Sequence, residues 1–519
     1  MNTASVNLPA AESVDLLIIG SGPAASLYAA RAAAAGRSVV ILEAGPERRL
    51  EQLYSSQIWA RQLKWGGAAV EEQGNHKVGH AFNSGWGSGG GGLHHYAVYP
   101  RLHPSDFRVK TDHGHGLDWP LSYRHLQKHY DSVQTAIGLS GDAQQEHWRP
   151  PGADYPMPPL PIFAQSRIIA KGFAKQGLTT APIPLAINSR PYNGRPACQY
   201  DGWCDAGCPI GALANPLVTY LGSAIKAGAQ LRCESVATTL HSNPTTHKVD
   251  GVSYIDNQGQ SHKILAEQVV LAAGTVENSR LLLANKLGNH SGNLGRYLMS
   301  HPARSVYALF DQATEPTLGV TGGQLMSHDR YHPKRKSATR YGSYQWLIGN
   351  AMKPTDLLGM ANTRPDISAS QLDDFMRDAA QHIGNMVFVA EDIAQPENRI
   401  ELSQQTDRYG VPLARTIHNL TAQTQALVEG ATQEGLDIMQ VAGARHAWHG
   451  PLIGMHIMGG TPMGSDPEHA VADSYGRVFG WDNLWVGGAS LFPSSGAVNP
   501  TFTLLALAER GADKLLASG

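Results

Sequence analysis

The chain has 519 residues, more than one ordinary hydrophobic core sustains, so two or more domains, or one large domain with insertions, are expected. With 42% hydrophobic residues, 16% charged residues and a net charge of -2, nothing draws it to nucleic acid or to an anionic membrane, and small-molecule chemistry fits better. No stretch approaches the length of uninterrupted apolar sequence that a membrane-spanning helix needs.

Residues 1–13 contain no Lys or Arg and no apolar core, so they read as a flexible tail and not as a secretory signal. Val14–Ile19 reads as a buried parallel strand that runs into Gly20-Ser21-Gly22-Pro23-Ala24-Ala25 and an alanine-rich helix ending near Gly36. A second strand, Ser38–Leu42, ends on Glu43. This is G-x-G-x-x-A in a strand-turn-helix-strand setting with an acid after the second strand, the dinucleotide-binding fingerprint. Gly20 permits the turn, Gly22 admits a pyrophosphate to the backbone, Glu43 is set to accept hydrogen bonds from ribose hydroxyls, and Ala25, the last residue of the fingerprint, is expected with them at the cofactor. FAD and NAD both satisfy this unit. No second fingerprint follows, so a separate NAD(P)H site is not expected, and a flavin here would be reduced by the substrate. Arg48-Arg49 lies beyond this unit and is no export signal.

Gly85-Trp86-Gly87-Ser88-Gly89-Gly90-Gly91-Gly92-Leu93-His94-His95 is either a linker or backbone laid against a flat ligand. Its Trp and paired His favour the ligand, with Gly89, Gly90 and His94 as cofactor contacts. Cys198, Cys204 and Cys208 form C-x5-C-x3-C, with Pro209 directly after. Iron–sulfur clusters are held by thiolates on such irregular loops. Zinc is the rival, although no His lies between His147 and His241 and only Asp201 or Asp205 could complete a set. Three inert buried thiols are the third reading. Cys233 reads as a plain strand residue.

Gln268–Thr275 reads as a strand entering a glycine turn, with Ala273 and Gly274 returning the chain to the nucleotide, and a helix follows from Val276. Between about His301 and Ala447 nothing converts into a substrate identity; Tyr344, Trp346 and Asn350 are pocket candidates that ordinary packing also explains. His456 lies in Met455–Gly464, Leu484–Ser490 reads as another buried strand carrying Ala489, and Asn499 precedes Pro500 and an apolar helix. Oxidising an alcohol by hydride transfer needs an acceptor for the hydroxyl proton, and a histidine with its ordinary pKa near ~6.5 suits that task. Asn499 also reads as the N-cap of its helix with Pro500 in the first turn. One side chain cannot fully do both jobs.

Over nearly its whole length the chain resembles the glucose-methanol-choline (GMC) oxidoreductases. It is most similar to the branch that holds the catalytic subunits of bacterial membrane-linked FAD glucose, fructose, sorbitol and gluconate dehydrogenases. The matching stretches are Asp118–Pro120, Tyr155–Pro161, Asn188–Pro196, Cys208–Ala212, Pro396–Arg399 and the block from Met455 to Thr501. Residues 319–359 and the glycine run depart further from that branch. The resemblance implies an α/β fold (α+β overall): a discontinuous Rossmann-like FAD-binding domain with an inserted sheet-and-helix substrate domain. The expected division is FAD binding in 14–165, 209–300 and 448–519, a cysteine-bearing region in 166–208, and the substrate domain in 301–447. It implies His456 as the base, Asn499 as a hydrogen-bond partner of the substrate oxygen, and Ala273, Gly274, Ala489 and Pro500 beside FAD.

The resemblance also implies a 3Fe-4S cluster on Cys198, Cys204 and Cys208, and electron delivery to a multihaem cytochrome c subunit. A small subunit with a Tat signal would export the folded chain to the periplasm, where the cytochrome would hold it at the membrane. A cytoplasmic location is the alternative. The rival activity is a soluble oxidase that releases hydrogen peroxide, and the rival outside catalysis is an idle flavin-binding scaffold.

Overall fold

The computed structural model of the chain describes residues 12–331 and 341–518. Of the expected tail, residues 1–11 lie outside the described residues, whereas Glu12 and Ser13 already belong to the first strand, Glu12–Ile19. They extend it because Glu12 lies in register with Ile264 and its carboxylate grips the Arg232 guanidinium at 2.6 and 2.8 Å.

The first sheet runs in the order Gln230–Arg232, Val39–Leu42, Glu12–Ile19, Ser261–Leu271, Lys248–Ile255, Val236–Asn243. Leu484–Val486 adds parallel to the end of Ser261–Leu271. The strands at its centre are parallel and nearly uninterrupted in apolar character, as strands covered on both faces must be. Helices Pro23–Ala34 and Thr501–Ala517 pack against each other on this unit. Cys233 lies just past the Gln230–Arg232 strand and not within it. The chain turns there, with Glu234 in the left-handed region at φ 51° and its N–H donating to the Gly45 carbonyl.

The second sheet is antiparallel: Ala444–His449, Met299–Phe310, Ile383–Ala390, Tyr344–Ile348, Leu325–Ser327 and Ala181–Pro182, with Ile453–Met458 also paired to Met299–Phe310. Its strands alternate cleanly. Val306, Ala308, Phe310, Tyr344, Trp346, Ile348, Met386 and Phe388 point to one face and form a core with helices Ala164–Lys175 and Ala422–Val441. Met299, Ala303, Leu347 and Val389 point to the other face and join the core of the first sheet. Period-two alternation therefore decides which side chains of this sheet look toward the nucleotide unit. Arg399–Thr406, Pro412–Ile417 and Val70–Gln73 form a small third sheet. Among the described residues no helix is long and apolar enough to cross a membrane.

Candidate active site

A cavity of about 940 Å³ opens at the carboxyl ends of the parallel strands, where the chain leaves Ile19, Leu42, Leu271 and Val486. That is where α/β sheets bind ligands. Gly20, Gly22, Glu43, Gly90, His94, Ala273, Gly274, Ala489, Pro500, His456 and Asn499 all line it. Ala25, expected at the cofactor, does not; it is fully buried in the Pro23–Ala34 helix. Gly89 stands behind the wall at φ 92°, its N–H donating to Ser21 Oγ at 3.1 Å.

The glycines differ in what demands them. Gly20 has φ 95°, and a Cβ there would meet the Ala272 carbonyl. Gly22 has an ordinary φ of -66°, and a Cβ would find no protein atom within 4 Å. The protein leaves that space open to the cavity, as close approach of a pyrophosphate requires. Both oxygens of Glu43 are engaged by the fold: Oε2 accepts from Ser21 Oγ at 2.6 Å and Oε1 from Gly45 N–H at 2.8 Å. Burial raises its pKa against these bonds. His94 Nε2 and both ring nitrogens of His95 are buried beside the cavity without a hydrogen-bond partner. Burial pushes the two rings down to about 4 and about 3, so both are neutral. Orphaned polar atoms and open glycine positions along one cavity wall fit a dinucleotide such as FAD.

His456 enters from the second sheet. Met455 pairs with His301 and Ile457 with Ser300, which leaves His456 as the extra residue of a β-bulge. Its φ of 58° is strained for a residue with a side chain, and such strain gathers at functional sites. The bulge aims the imidazole at Asn499, whose Nδ2 lies 3.1 Å from His456 Nε2. Burial in the cavity wall, then the facing His301, hold the His456 pKa well below the usual imidazole range.

The N-cap reading of Asn499 is corrected here. The following helix starts at Thr501 with Pro500 as its cap residue and no side-chain cap. Asn499 is drawn away by better partners: Gln345 Nε2 donates to its Oδ1 at 2.9 Å and His456 takes the other end. The pocket role of Tyr344, Trp346 and Asn350 is corrected as well. Tyr344 and Trp346 point to the helix-covered face and both bind Glu434, while Asn350 donates to the Thr321 carbonyl. None of the three lines the cavity. The residue between them, Gln345, faces the site by strand alternation, fully buried. His301 was also absent from the sequence-based candidates; its Nδ1 lies 3.0 Å from His456 Nδ1. A lone Gln in Tyr-Gln-Trp-Leu-Ile and a lone His in a long apolar strand were the available signals.

Cys198, Cys204 and Cys208 come together on the irregular loop, close enough that Cys198 and Cys208 both help to raise the pKa of Cys204, and all are free thiols. Burial pushes Cys198 to about 11 and Cys204 to about 12. Backbone N–H groups point at the sulfurs, from Tyr200 to Cys198 at 3.3 Å, from Leu213 to Cys208 at 3.4 Å, and from Thr321 to Cys204. Among the described residues no group of three or more His, Cys, Asp or Glu is arranged to hold a metal ion. A cluster spreads its thiolates over several irons, and N–H groups aimed at sulfur are the usual surroundings of one.

Family models described as GMC oxidoreductase match residues 66–303 and 394–508. The chain is 28% identical to the fructose dehydrogenase large subunit of Gluconobacter japonicus, over 97% of this chain and 98% of that protein. It is 29% identical to 2-methyl-1,2-propanediol dehydrogenase of Mycolicibacterium austroafricanum (97% and 95%) and 26% identical to paromamine 6'-oxidase of Streptomyces fradiae (96% and 90%). Among solved structures, pyridoxine 4-oxidase from Mesorbium loti aligns over 97% of this chain and 99% of its own, with TM-score 0.67 and 19% identity. Formate oxidase of Aspergillus oryzae aligns over 98% of each chain, with TM-score 0.68 and 14% identity.

Proposed function

The chain belongs to the GMC oxidoreductase family, and from that premise we propose that it is the catalytic flavoprotein of a dehydrogenase that oxidises a CH-OH group on a sugar, polyol or sugar acid. One observation carries the reading. His456 Nε2 and Asn499 Nδ2 meet at 3.1 Å on the wall of the same cavity that the glycine cradle opens into.

A hydroxyl that replaces their mutual hydrogen bond gives its proton to His456 Nε2 and accepts a hydrogen bond from Asn499 Nδ2, which holds its oxygen in place. The depressed pKa of His456 keeps the ring free to take that proton at neutral pH. FAD, when bound, supplies the acceptor for the hydride that leaves the carbon, so the alcohol becomes a carbonyl. The first turn of the Thr501–Ala517 helix, whose Pro500 and Thr501 line the cavity, places positive partial charge where negative charge builds up. Backbone N–H groups around Gly20 to Gly22 would hold the pyrophosphate.

The proposal extends to a 3Fe-4S cluster on Cys198, Cys204 and Cys208, which would supply a one-electron outlet toward a cytochrome-type partner. The thiol trio with its N–H donors supports the cluster, and the likeness to a protein named as a large subunit supports a partner chain. Co-export with a small Tat-bearing subunit and work in the periplasm belong to the same proposal.

The test is an anaerobic screen of sugars, polyols and sugar acids with an artificial electron acceptor, run beside EPR and iron and sulfide analysis of anaerobically purified, reconstituted protein. Bleaching of the flavin by one of these alcohols is the expected result. Flavin without stoichiometric iron and sulfide would remove the cluster, and turnover that yields peroxide in air at the same rate would turn the reading to an oxidase.

A further inference from the structure

A string of buried hydrogen bonds runs through the catalytic pair. His328 Nε2 lies 3.1 Å from Gln345 Oε1, Gln345 Nε2 is 2.9 Å from Asn499 Oδ1, and Asn499 Nδ2 is 3.1 Å from His456 Nε2. His456 Nδ1 is 3.0 Å from His301 Nδ1, and His301 Nε2 faces the carbonyls of Ser495 and Gly496 at 3.2 and 3.0 Å. His301 and Gln345 are fully buried, so no water can repair a wrong bond.

Only one polarity satisfies the whole string. A carbonyl accepts and never donates, so His301 Nε2 carries a proton. A neutral His301 then has a bare Nδ1, which must accept from a protonated His456 Nδ1. That leaves His456 Nε2 bare, so Asn499 turns its Nδ2 toward it and its Oδ1 toward Gln345 Nε2. Gln345 in turn presents its Oε1 to a protonated His328 Nε2. Reversing both amides would set the lone pair of His301 Nε2 against two carbonyl oxygens.

A doubly protonated His301 or a doubly protonated His456 is the remaining escape. Burial pushes the His301 ring down to about 4, against the weaker opposing pull of the Ser495 and Gly496 carbonyls and of Asp392 and Asp106, and burial with the facing His301 holds His456 well below the usual imidazole range, so both are closed near neutral pH. The anchoring carbonyls are themselves fixed: Ser495 Oγ accepts from Asp392 N–H at 3.0 Å, and Tyr331 Oη accepts from Ala497 N–H at 2.9 Å.

We infer that His301 and Gln345 are positioning residues that set this polarity, so that His456 meets the substrate with a bare Nε2 and Asn499 meets it with an N–H. The inference rests on the reading of His456 as the proton acceptor. An alcohol O–H is the group that matches both faces, since it donates to the one and accepts from the other. The string also ends blind. A proton handed from His456 to His301 would find only carbonyls beyond, so the proton taken from substrate returns to the cavity through Nε2.

Neutron diffraction of the oxidised holoenzyme in heavy water tests this without any substitution. Deuterons are expected on Nδ1 of His456, Nε2 of His301 and Nδ2 of Asn499 on the side facing His456. A deuteron on His456 Nε2 overturns the inference. Two nearly isosteric variants give the kinetic readout, with bound flavin measured as the check on folding. Gln345→Glu still accepts from His328 but offers Asn499 only acceptors, which turns the amide around; flavin reduction is expected to slow by about 100-fold with KM little changed. His301→Leu is expected to slow it similarly, and His301→Asn, which restores an acceptor for His456 Nδ1, to recover about tenfold of that loss. Wild-type rates in Gln345→Glu, or no recovery in His301→Asn over His301→Leu, also overturn it. Failure of every alcohol to reduce the flavin would count against the proposed function, whereas the deuteron positions decide this inference by themselves.

Discussion

The nucleotide sheet and the antiparallel sheet face the same cavity, but they build their shares of it from different material. On the nucleotide side the wall is largely backbone: Gly20 to Gly22 and Ala273 to Gly274 come from turns at the ends of parallel strands, and Gly90 from the short helix Gly90–Leu93 in the glycine run. On the other side the working atoms are side chains, brought together from Met299–Phe310, Tyr344–Ile348 and the bulge in Ile453–Met458. A backbone cradle fails when a Cβ is added. A side-chain constellation fails when one donor or acceptor is removed. The two walls should therefore separate cofactor binding from chemistry, and substitutions can test how cleanly they do so.

The largest separation is expected at His456. His456→Ala removes the proposed proton acceptor but touches none of the nucleotide wall, so FAD is expected to stay bound while its reduction by substrate falls by about 10³- to 10⁴-fold. Stopped-flow flavin reduction beside the flavin-to-protein ratio measures both. Unimpaired turnover would sink the assignment of the base, and loss of FAD would show that the two walls are not independent.

Gly22→Val probes the other wall with a smaller effect. Its ordinary φ and empty surroundings mean that the apoprotein accommodates the side chain, while the space meant for pyrophosphate is filled. FAD affinity is expected to fall about 10- to 100-fold with apoprotein melting unchanged. Gly20→Val is the contrast, because its positive φ and the facing Ala272 carbonyl make the fold itself object. Full flavin occupancy in Gly22→Val would show that the cofactor does not approach this backbone.

The same difference explains what could be read in advance. Gly20, Gly22, Ala25 and Glu43 sit in one short strand-helix-strand unit whose spacing reports its own geometry, and the structure forms those elements within a residue or two of expectation. His456 and Asn499 could be proposed through resemblance, but their meeting depends on a bulge whose φ no propensity announces. Gln345 and His301 were missed because their importance is a matter of direction. Tyr344 and Trp346 look more like pocket residues by type, yet alternation sends them into the helix-covered core and turns the plain Gln between them toward the site. The N-cap pattern at Asn499-Pro500 misled for a related reason: a local rule gives way when tertiary contacts offer the same amide partners at both ends.

The smallest expected effect is a region of no change. A free imidazole gains its proton as pH falls through about 6.5, and a base with that pKa would lose activity there. Burial and the facing His301 lower the pKa of His456, so the ring stays unprotonated to lower pH and the acid limb moves down with it. The profile of kcat/KM is therefore expected to stay flat from pH 8 down through the ordinary imidazole value and to fall only below it, where the limb reports the free enzyme's base. His301→Asn keeps an acceptor at His456 Nδ1 but exchanges a buried ring for a smaller amide that admits water, which eases the burial and draws the limb back toward the ordinary value. A wild-type limb at or above the ordinary imidazole value would mean that the proton acceptor is better solvated than His456, and would move the chemistry off the second sheet.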